Sequence, residues 1–320
     1  MAGGQERILR RRIRSVQSTK KITRAMELIA ASRIVRAQAR VEAAVPYSDQ
    51  ITEVVHDLAD AGGADVESPY LIPRPEIRTV GHVVITADRG LAGPYNSAIL
   101  RATEGEIDEH RELGRGSVLY VIGRKGESYF RYRGHPVEAS FTGFSDQPSY
   151  EDARRIAAAV RDPFLDGRVD MVQLIYTRFV SVGLQEVVVR PLMPLEREVV
   201  SEEDERAREP EGLRAGYEFE PGPGEILERL LPRYVEARIF AALLNAAASE
   251  HAARQRAMKA ATDNADELIV SLTRVMNRAR QDAITTEITE IVGGAEALRQ
   301  LGQRGAEEPN GSDLRVRAAP

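Results

Sequence analysis

The chain has no cysteine and no tryptophan, and only 5% of its 320 residues are aromatic. Without thiols there is no disulfide, thiolate metal ligand, cysteine nucleophile or thiol switch. Few aromatics beside 29% charged residues suit a chain rich in solvated helix better than a thick aromatic-lined pocket, which demotes an enzyme without excluding it. Long apolar runs are missing too. The longest, Ile239 to Ser249, is bounded by Arg238 and Glu250 and falls short of the roughly 18 residues a membrane span requires. No apolar segment follows Arg10, Arg11 and Arg12, so the start does not read as a secretory signal, and a soluble or peripheral cytoplasmic protein is expected. The histidines at 56, 82, 110, 135 and 251 stand apart, with no His-x-x-x-His pair, so neither a metal site nor a cofactor is expected. A Gly-x-Ser-x-Gly nucleophile elbow is also lacking.

Two long segments lack glycine. Residues 5–59 contain one proline, Pro46, and are dominated by Ala, Arg, Ile, Gln and Glu, which predicts a helix approaching 80 Å that Pro46 should bend or end. Leu9, Ile13, Val16, Ile22, Met26 and Ile29 form an amphipathic stripe, broken by polar Ser18 to Lys21. Residues 225–292 contain only Pro232 and predict a second long helix. There Met258, Ala261, Ala265, Leu268, Leu272, Val275 and Ala279 alternate steps of three and four, the seam of a coiled coil. The next seam position is Asp282; apolar residues resume at Ile284, Ile288 and Ile291, and Gly293-Gly294 reads as a helix stop. Two long terminal helices around a central domain pair most simply with each other, as an antiparallel intramolecular coiled coil. Separate homomeric coils or plain surface helices are the competing reading.

Between them, Thr79 to Ala87 reads as a buried strand. Asp88 to Pro94 reads as a turn into a helix ending near Leu113. Strand Ser117 to Ile122, helix Lys125 to Arg133, strand Val137 to Phe141, helix Tyr150 to Val160 and strands Asp170 to Phe179 and Leu184 to Val189 follow. The alternation predicts an α/β fold with a largely parallel, Rossmann-like sheet. The expected domains are an N-terminal coiled-coil helix at 1–59, a globular domain at 60–224 with an acidic linker at 196–224, a C-terminal coiled-coil helix at 225–299 and a disordered tail at 300–320.

The strand-to-helix loop Asp88-Arg89-Gly90-Leu91-Ala92-Gly93 sits where a phosphate can rest on a helix N-terminus. It lacks GxGxxG or P-loop spacing, and Pro94 removes a donor, so a structural turn is favoured. Glu202 to Glu205 lacks the alternating spacing of a calcium loop and reads as solvated. Charge is uneven. The net charge is −5, yet residues 1–40 carry eleven Lys/Arg against Glu6 and Glu27, an excess that implies an anionic partner. The polar segment Asn277 to Asp282, at a coiled-coil seam, implies a partner at that level, or else outward hydration of Arg280 and Gln281.

Three stretches are more specific than composition. Lys20 to Ser32 (KKITRAMELIAAS) resembles the N-terminal signature of the gamma subunit of rotary F-type ATP synthases. Ala257 to Ala265 (AMKAATDNA) and Arg278 to Ala295 (RARQDAITTEITEIVGGA) resemble its C-terminal signature, and Asp88 to Gly93 its central loop. The resemblance runs over about residues 4–298. It implies a single asymmetric shaft turning inside three alpha and three beta subunits, with its globular base on the membrane rotor ring (c-ring) beside epsilon, and with catalysis on beta. By the same resemblance, Arg280 and Gln281 match a pair that engages a loop of beta. Met26, Arg33 and Arg36 match a neck facing an acidic lever of beta, and Tyr234 and Glu236 lie in a stretch near the rotor ring. Such a subunit is a non-catalytic, peripheral component at the cytoplasmic face of a bacterial cell membrane, coupling proton transport to ATP synthesis. Asp282 departs from the pattern by standing where a small residue is expected, and Ala92 replaces a frequent cysteine. Two other functions compete: an α/β nucleotide-binding enzyme, resting on the Asp88 loop, and a basic coiled-coil protein that binds nucleic acid, resting on the cationic N-terminus.

Overall fold

A computed structural model describes residues 2–60, 68–195 and 222–306. Helix α1 is Ala2–Asp60 and helix α5 is Pro223–Ala306, of 59 and 84 residues. Both outrun what the sequence signals. Pro46 lies inside α1 and does not end it. An interior proline costs about 3 kcal/mol, but Ile51, Val55 and Leu58 beyond it are buried in the main core and offset that cost. Gly293-Gly294 does not stop α5 either. Neither takes the positive φ of a helix-ending cap, so each only weakens the helix by about 1 kcal/mol relative to alanine. The tail is therefore helical through Ala306, while 307–320 and linker residues 196–221 lie outside the described residues.

The chain forms two compact units. One joins α1 up to Ile22 with α5 from Ala261 onward, and the other is Thr23–Ala260. In the first, the inward positions of α1 are Glu6, Leu9, Ile13, Val16 and Lys20, and those of α5 are Thr262, Ala265, Ile269, Leu272, Met276, Ala279 and Ala283. Both series alternate steps of three and four. An ion pair from Lys20 to Asp266 joins the segments. Moving seven residues back along α1 and about seven forward along α5 reaches Ile13 and Leu272, both buried. The register is antiparallel. It also explains why α5 is exposed from Ile284 to Arg299, because at that level α1 has reached its first residues. The same inward steps continue in the second unit at Thr23, Glu27, Ala30, Ile34, Ala37, Val41 and Ala44.

Half of the expected seam is shifted by one residue. Ile22 and Ile29 are 61% and 55% exposed, and Leu268 and Val275 are 40% and 51% exposed. Ile269 and Met276 turn inward in their place, and Ala283 continues the seam where Asp282 was expected. Two interleaved series satisfy one 3.5 repeat, and the polar one prevails in places because its groups find partners: Lys20 with Asp266, and Glu27 with Arg24 at 2.8 Å. Several strongly apolar residues are left on the outer flank.

In the Thr23–Ala260 unit, five strands lie in the order β3-β2-β1-β4-β5. They are β1 Thr79–Ile85, β2 Gly116–Ile122, β3 Val137–Phe141, β4 Met171–Phe179 and β5 Gln185–Met193. Only the β4/β5 pairing is antiparallel. Helices α2 (Tyr95–Glu112), α3 (Arg124–Arg133) and α4 (Tyr150–Leu165) link the parallel strands. A capping box starts α4, with Ser149 and Asp152 satisfying each other's backbone amides. The two-residue period of the strands divides the core between two faces. Val83, Ile85, Tyr120, Ile122 and Leu174 pack with α4 and the lower parts of α1 and α5. Val84, Leu119, Val121 and Ile175 pack with Ile99 and Ile107 of α2 and Phe130 of α3.

Ile34 is buried and its neighbour Val35 is 66% exposed. Ile34→Ala is expected to lower stability by about 2–5 kcal/mol, and Val35→Ala by no more than about 0.5 kcal/mol. Urea unfolding of the two variants checks which flank of α1 carries the seam.

Candidate functional site

In open α/β sheets, ligands bind beyond the carboxyl ends of the strands where the strand order reverses, here between β1 and β4. In this chain α5 passes over that edge. Ser249 Oγ donates to the Thr177 carbonyl at 3.1 Å, Asn245 Oδ1 accepts from the Phe179 amide at 3.2 Å, and the Tyr95 hydroxyl donates to the Ala246 carbonyl at 3.3 Å. The position a nucleotide would need is filled by the chain's own helix.

The Asp88 to Gly93 loop belongs to this junction. The Asp88 carboxylate accepts from the backbone amides of Arg124, Gly143 and Ser145 at 3.2, 2.8 and 3.1 Å, tying together the turns after β1, β2 and β3. The Gly90 carbonyl accepts from Arg254 at 3.3 Å, and a Cβ on Gly93 would stand 3.6 Å from that of Ala257. Leu91 takes a left-handed φ of 62°, which costs roughly 1–2 kcal/mol in a non-glycine residue, and its side chain stays exposed. Behind the loop, Gly123 has φ 90°, and a Cβ there would fall 2.3 Å from the Thr86 carbonyl oxygen, so only glycine fits.

At the centre is Glu250, 1% exposed. It accepts from Arg254 at 2.7 Å and from Ser145 Oγ at 3.2 Å. Burial pushes its carboxyl above the usual range, and Arg254 opposes the shift. Burial also raises the Tyr95 hydroxyl well above its ordinary value, aided by Glu250. Next to it, His251 Nε2 lies 3.3 Å from the Asp146 carbonyl, and the Asp146 carboxylate pairs with Arg33 of α1 at 2.9 Å. Asp146 thus bridges the two long helices. Burial holds His251 down at about 4, and His82 likewise at about 4, through burial and then the nearby His110.

The residues singled out from the sequence fall into three groups. Met26 is half-buried, Arg33 is paired to Asp146, and Arg36 is exposed with a 3.2 Å contact to Ser32 Oγ; spacings of seven and three keep them on one side of α1. Arg280 and Gln281 are both exposed in the other unit. Tyr234 and Glu236, the pair that the resemblance places near the rotor ring, are buried within the chain. Tyr234 is 2% exposed within the main core, and Glu236 accepts from the Tyr150 hydroxyl and Arg233, each at 3.0 Å. A segment of α5 packed against a sheet leaves alternate turns no outward path. The junction of Asp88, Ser145, Asp146, Glu250 and Arg254 was missed. Only the i,i+4 spacing of Glu250 and Arg254 signals it in the sequence; the other contacts join residues 36 or more positions apart. Among the described residues, no group of three His, Asp or Glu could hold a metal ion.

The profile of a family described as ATP synthase matches residues 5–298. The ATP synthase gamma chain of Frankia casuarinae is 54% identical over 299 residues, covering 92% of this chain and 98% of that protein. The chain belongs to the ATP synthase gamma-chain family. The gamma chains of Acidothermus cellulolyticus and Mycolicibacterium smegmatis are 51% and 47% identical, over 94% and 91% of this chain and 99% and 97% of theirs. Among solved structures, a chain of the Euglena gracilis mitochondrial ATP synthase (OSCP/F1/c-ring) has a TM-score of 0.62 at 16% identity, covering 98% of this chain and all of that one. A chain of the Tetrahymena thermophila mitochondrial ATP synthase central stalk and c-ring has a TM-score of 0.55 at 24% identity, covering 75% and 99%. At these identities the likeness concerns the fold.

Two predictions follow from the junction's electrostatics. Arg254→Met strands the buried Glu250 carboxylate and is expected to destabilise the chain by about 3–5 kcal/mol; adding Glu250→Gln should recover part of that loss in urea unfolding. His251 takes up a proton below about 6.5 when unfolded but only near about 4 when folded, so its contribution is complete above pH 6.5 and is lost as pH falls through 4. The raised Glu250 works in the opposite sense. His251→Gln should therefore flatten the acid-side decline between pH 6.5 and 4 by up to about 3 kcal/mol, leaving the share that His82 causes.

Proposed function

We propose that the chain is the central rotor shaft of an F-type, proton-translocating ATP synthase, coupling rotation of a membrane ring to conformational change at catalytic beta subunits. The observation that carries the reading is the helix pair: two family-signature segments, from opposite ends of the chain, joined in antiparallel register by Lys20 and Asp266. A shaft must resist bending and twisting, and two continuous helices without a glycine turn provide this.

One copy turns within three alpha and three beta subunits, and its sheet-bearing base meets epsilon and the c-ring. Catalysis belongs to beta. At the sheet's switch point Glu250 and His251 stand where a nucleotide would need to sit, and this disfavours the nucleotide-binding alternative. The nucleic-acid alternative is weakened because Arg10, Lys20, Arg24 and Arg33 already have carboxylate partners in Glu6, Asp266, Glu27 and Asp146. Among the described residues, no helix is long and apolar enough to cross a membrane. A peripheral place at the cytoplasmic face of a bacterial membrane, held there by the ring, fits this.

Coupling requires that the shaft's contact energy differ among the beta conformations, since equal affinity for all states shifts none. Moving a subunit from 1:99 to 99:1 takes about 5.5 kcal/mol. A lone exposed ion pair gives at most about 1 kcal/mol, whereas two or three hydrogen bonds from charged donors reach the required range. Arg280 supplies such charged donors and Gln281 a neutral amide beside them, both exposed beyond the sequence's apolar seam. Arg36, exposed, and Met26 and Arg33, half-buried, form the second contact, facing an acidic lever. The outward Ile22, Ile29, Leu268 and Val275 give the shaft an apolar flank for the surrounding subunits.

Arg280→Ala with Gln281→Ala is expected to lower proton-driven synthesis about 10- to 100-fold, equivalent to about 1.5–3 kcal/mol, with nucleotide binding on beta intact. Synthesis by membrane vesicles carrying the double variant checks it, and an unchanged rate removes the pair from the mechanism.

A further inference from the structure

Between residues 245 and 257, α5 is gripped on two sides. On one, Ala246, Glu250, His251, Arg254 and Ala257 meet the turns after β1 and β3, as described above. On the other, Asn245 and Ser249 hold the end of β4, and Arg256 reaches the β4–β5 hairpin. Its guanidinium donates from Nη1 to the carbonyls of Val182 and Gly183 at 2.7 and 2.9 Å, and from Nη2 to Gln185 Oε1. The hairpin closes on itself through the Ser181 amide to the Leu184 carbonyl at 3.0 Å and Gln185 Nε2 to the Ser181 carbonyl at 2.6 Å. Arg254 and Arg256 are two residues apart, about 200° around the helix, so they project from opposite faces.

A helix held on one face can roll about its axis against a sheet, while a helix held on opposite faces cannot roll without breaking one grip. We propose that Arg256 is a positioning residue of the rotor: by fixing the β4–β5 hairpin to the face of α5 opposite Arg254, it completes a two-jawed clamp that carries torque between sheet and helix. The inference rests on the reading of the chain as a shaft. Arg256 suits the task because a planar fork can hold two carbonyls and a side-chain oxygen together. Being exposed, it can be replaced without opening a cavity.

The test uses Arg256→Met, Arg256→Lys and Gln185→Ala, the last removing an acceptor on the hairpin side, in the assembled complex. Hydrogen exchange at the Val180, Ser181 and Leu184 amides should speed up about tenfold in Arg256→Met, and less in the other two. ATP hydrolysis should continue, protons pumped per ATP should fall, and the angular fluctuation of a rod fixed to the base should broaden, with Arg256→Lys between wild type and Arg256→Met. Faster exchange with an unchanged pumping ratio and angular width would make Arg256 a local fastener and overturn the proposal. Unchanged exchange would overturn the contact itself. If the wild-type chain did not assemble with alpha and beta, the shaft reading would fail, a result distinct from both.

Discussion

The structure depends on the antiparallel register between the two ends of the chain. An 84-residue helix is not held by propensity alone, and most helical stability comes from packing one face. Here the packed face is narrow and partly polar, with alanines, threonines and a lysine at positions where a strongly self-associating coil would carry leucine or isoleucine. The Lys20–Asp266 pair and the buried Ile13 and Leu272 together mark which residues meet, since alanine and threonine contacts alone would tolerate a slip.

The same economy leaves large apolar residues outside. Ile22, Ile29, Leu268, Val275 and the series Ile284, Ile288 and Ile291 are all exposed. On a monomer, patches of this extent mark interaction surfaces, and a shaft enclosed by other subunits needs an outer face as well as an inner one. The base solves a different problem. Its sheet is open-edged and α/β, yet the ligand position is filled by Glu250, His251 and Arg254, so an architecture that elsewhere binds nucleotides here holds a helix. The fold supplies rigidity, and function lies in what the helix touches.

Much of the fold is legible in the sequence. The strands and helices between 79 and 193 follow from alternating apolar runs and Gly/Pro turns, and the long helices from the absence of glycine. Three features resisted. Pro46 and Gly293-Gly294 are local stop signals overruled by the continuity of the helices around them. Half of the seam is ambiguous in the sequence because Leu268 and Val275 stand next to Ile269 and Met276, equally apolar residues that satisfy the same 3.5 repeat. The junction around Glu250 was invisible because its partners, Ser145 and Gly90, are brought near only by the sheet. Tyr234 and Glu236 are assigned near the rotor ring by resemblance alone, and their side chains are buried in the chain. Arg280, Gln281, Met26, Arg33 and Arg36 rest on motif likeness joined to exposure or half-burial, because periodicity alone cannot say which outward residue meets a partner.

The register can be read directly, since the chain has no native cysteine to remove. Spin labels at Arg12→Cys and Arg274→Cys, compared with Arg12→Cys and Asp263→Cys, probe two positions on α5 about 16 Å apart along its axis. The antiparallel shaft requires the 12–274 distance to be the shorter. A shorter 12–263 distance, or two long and broad distributions, would contradict it.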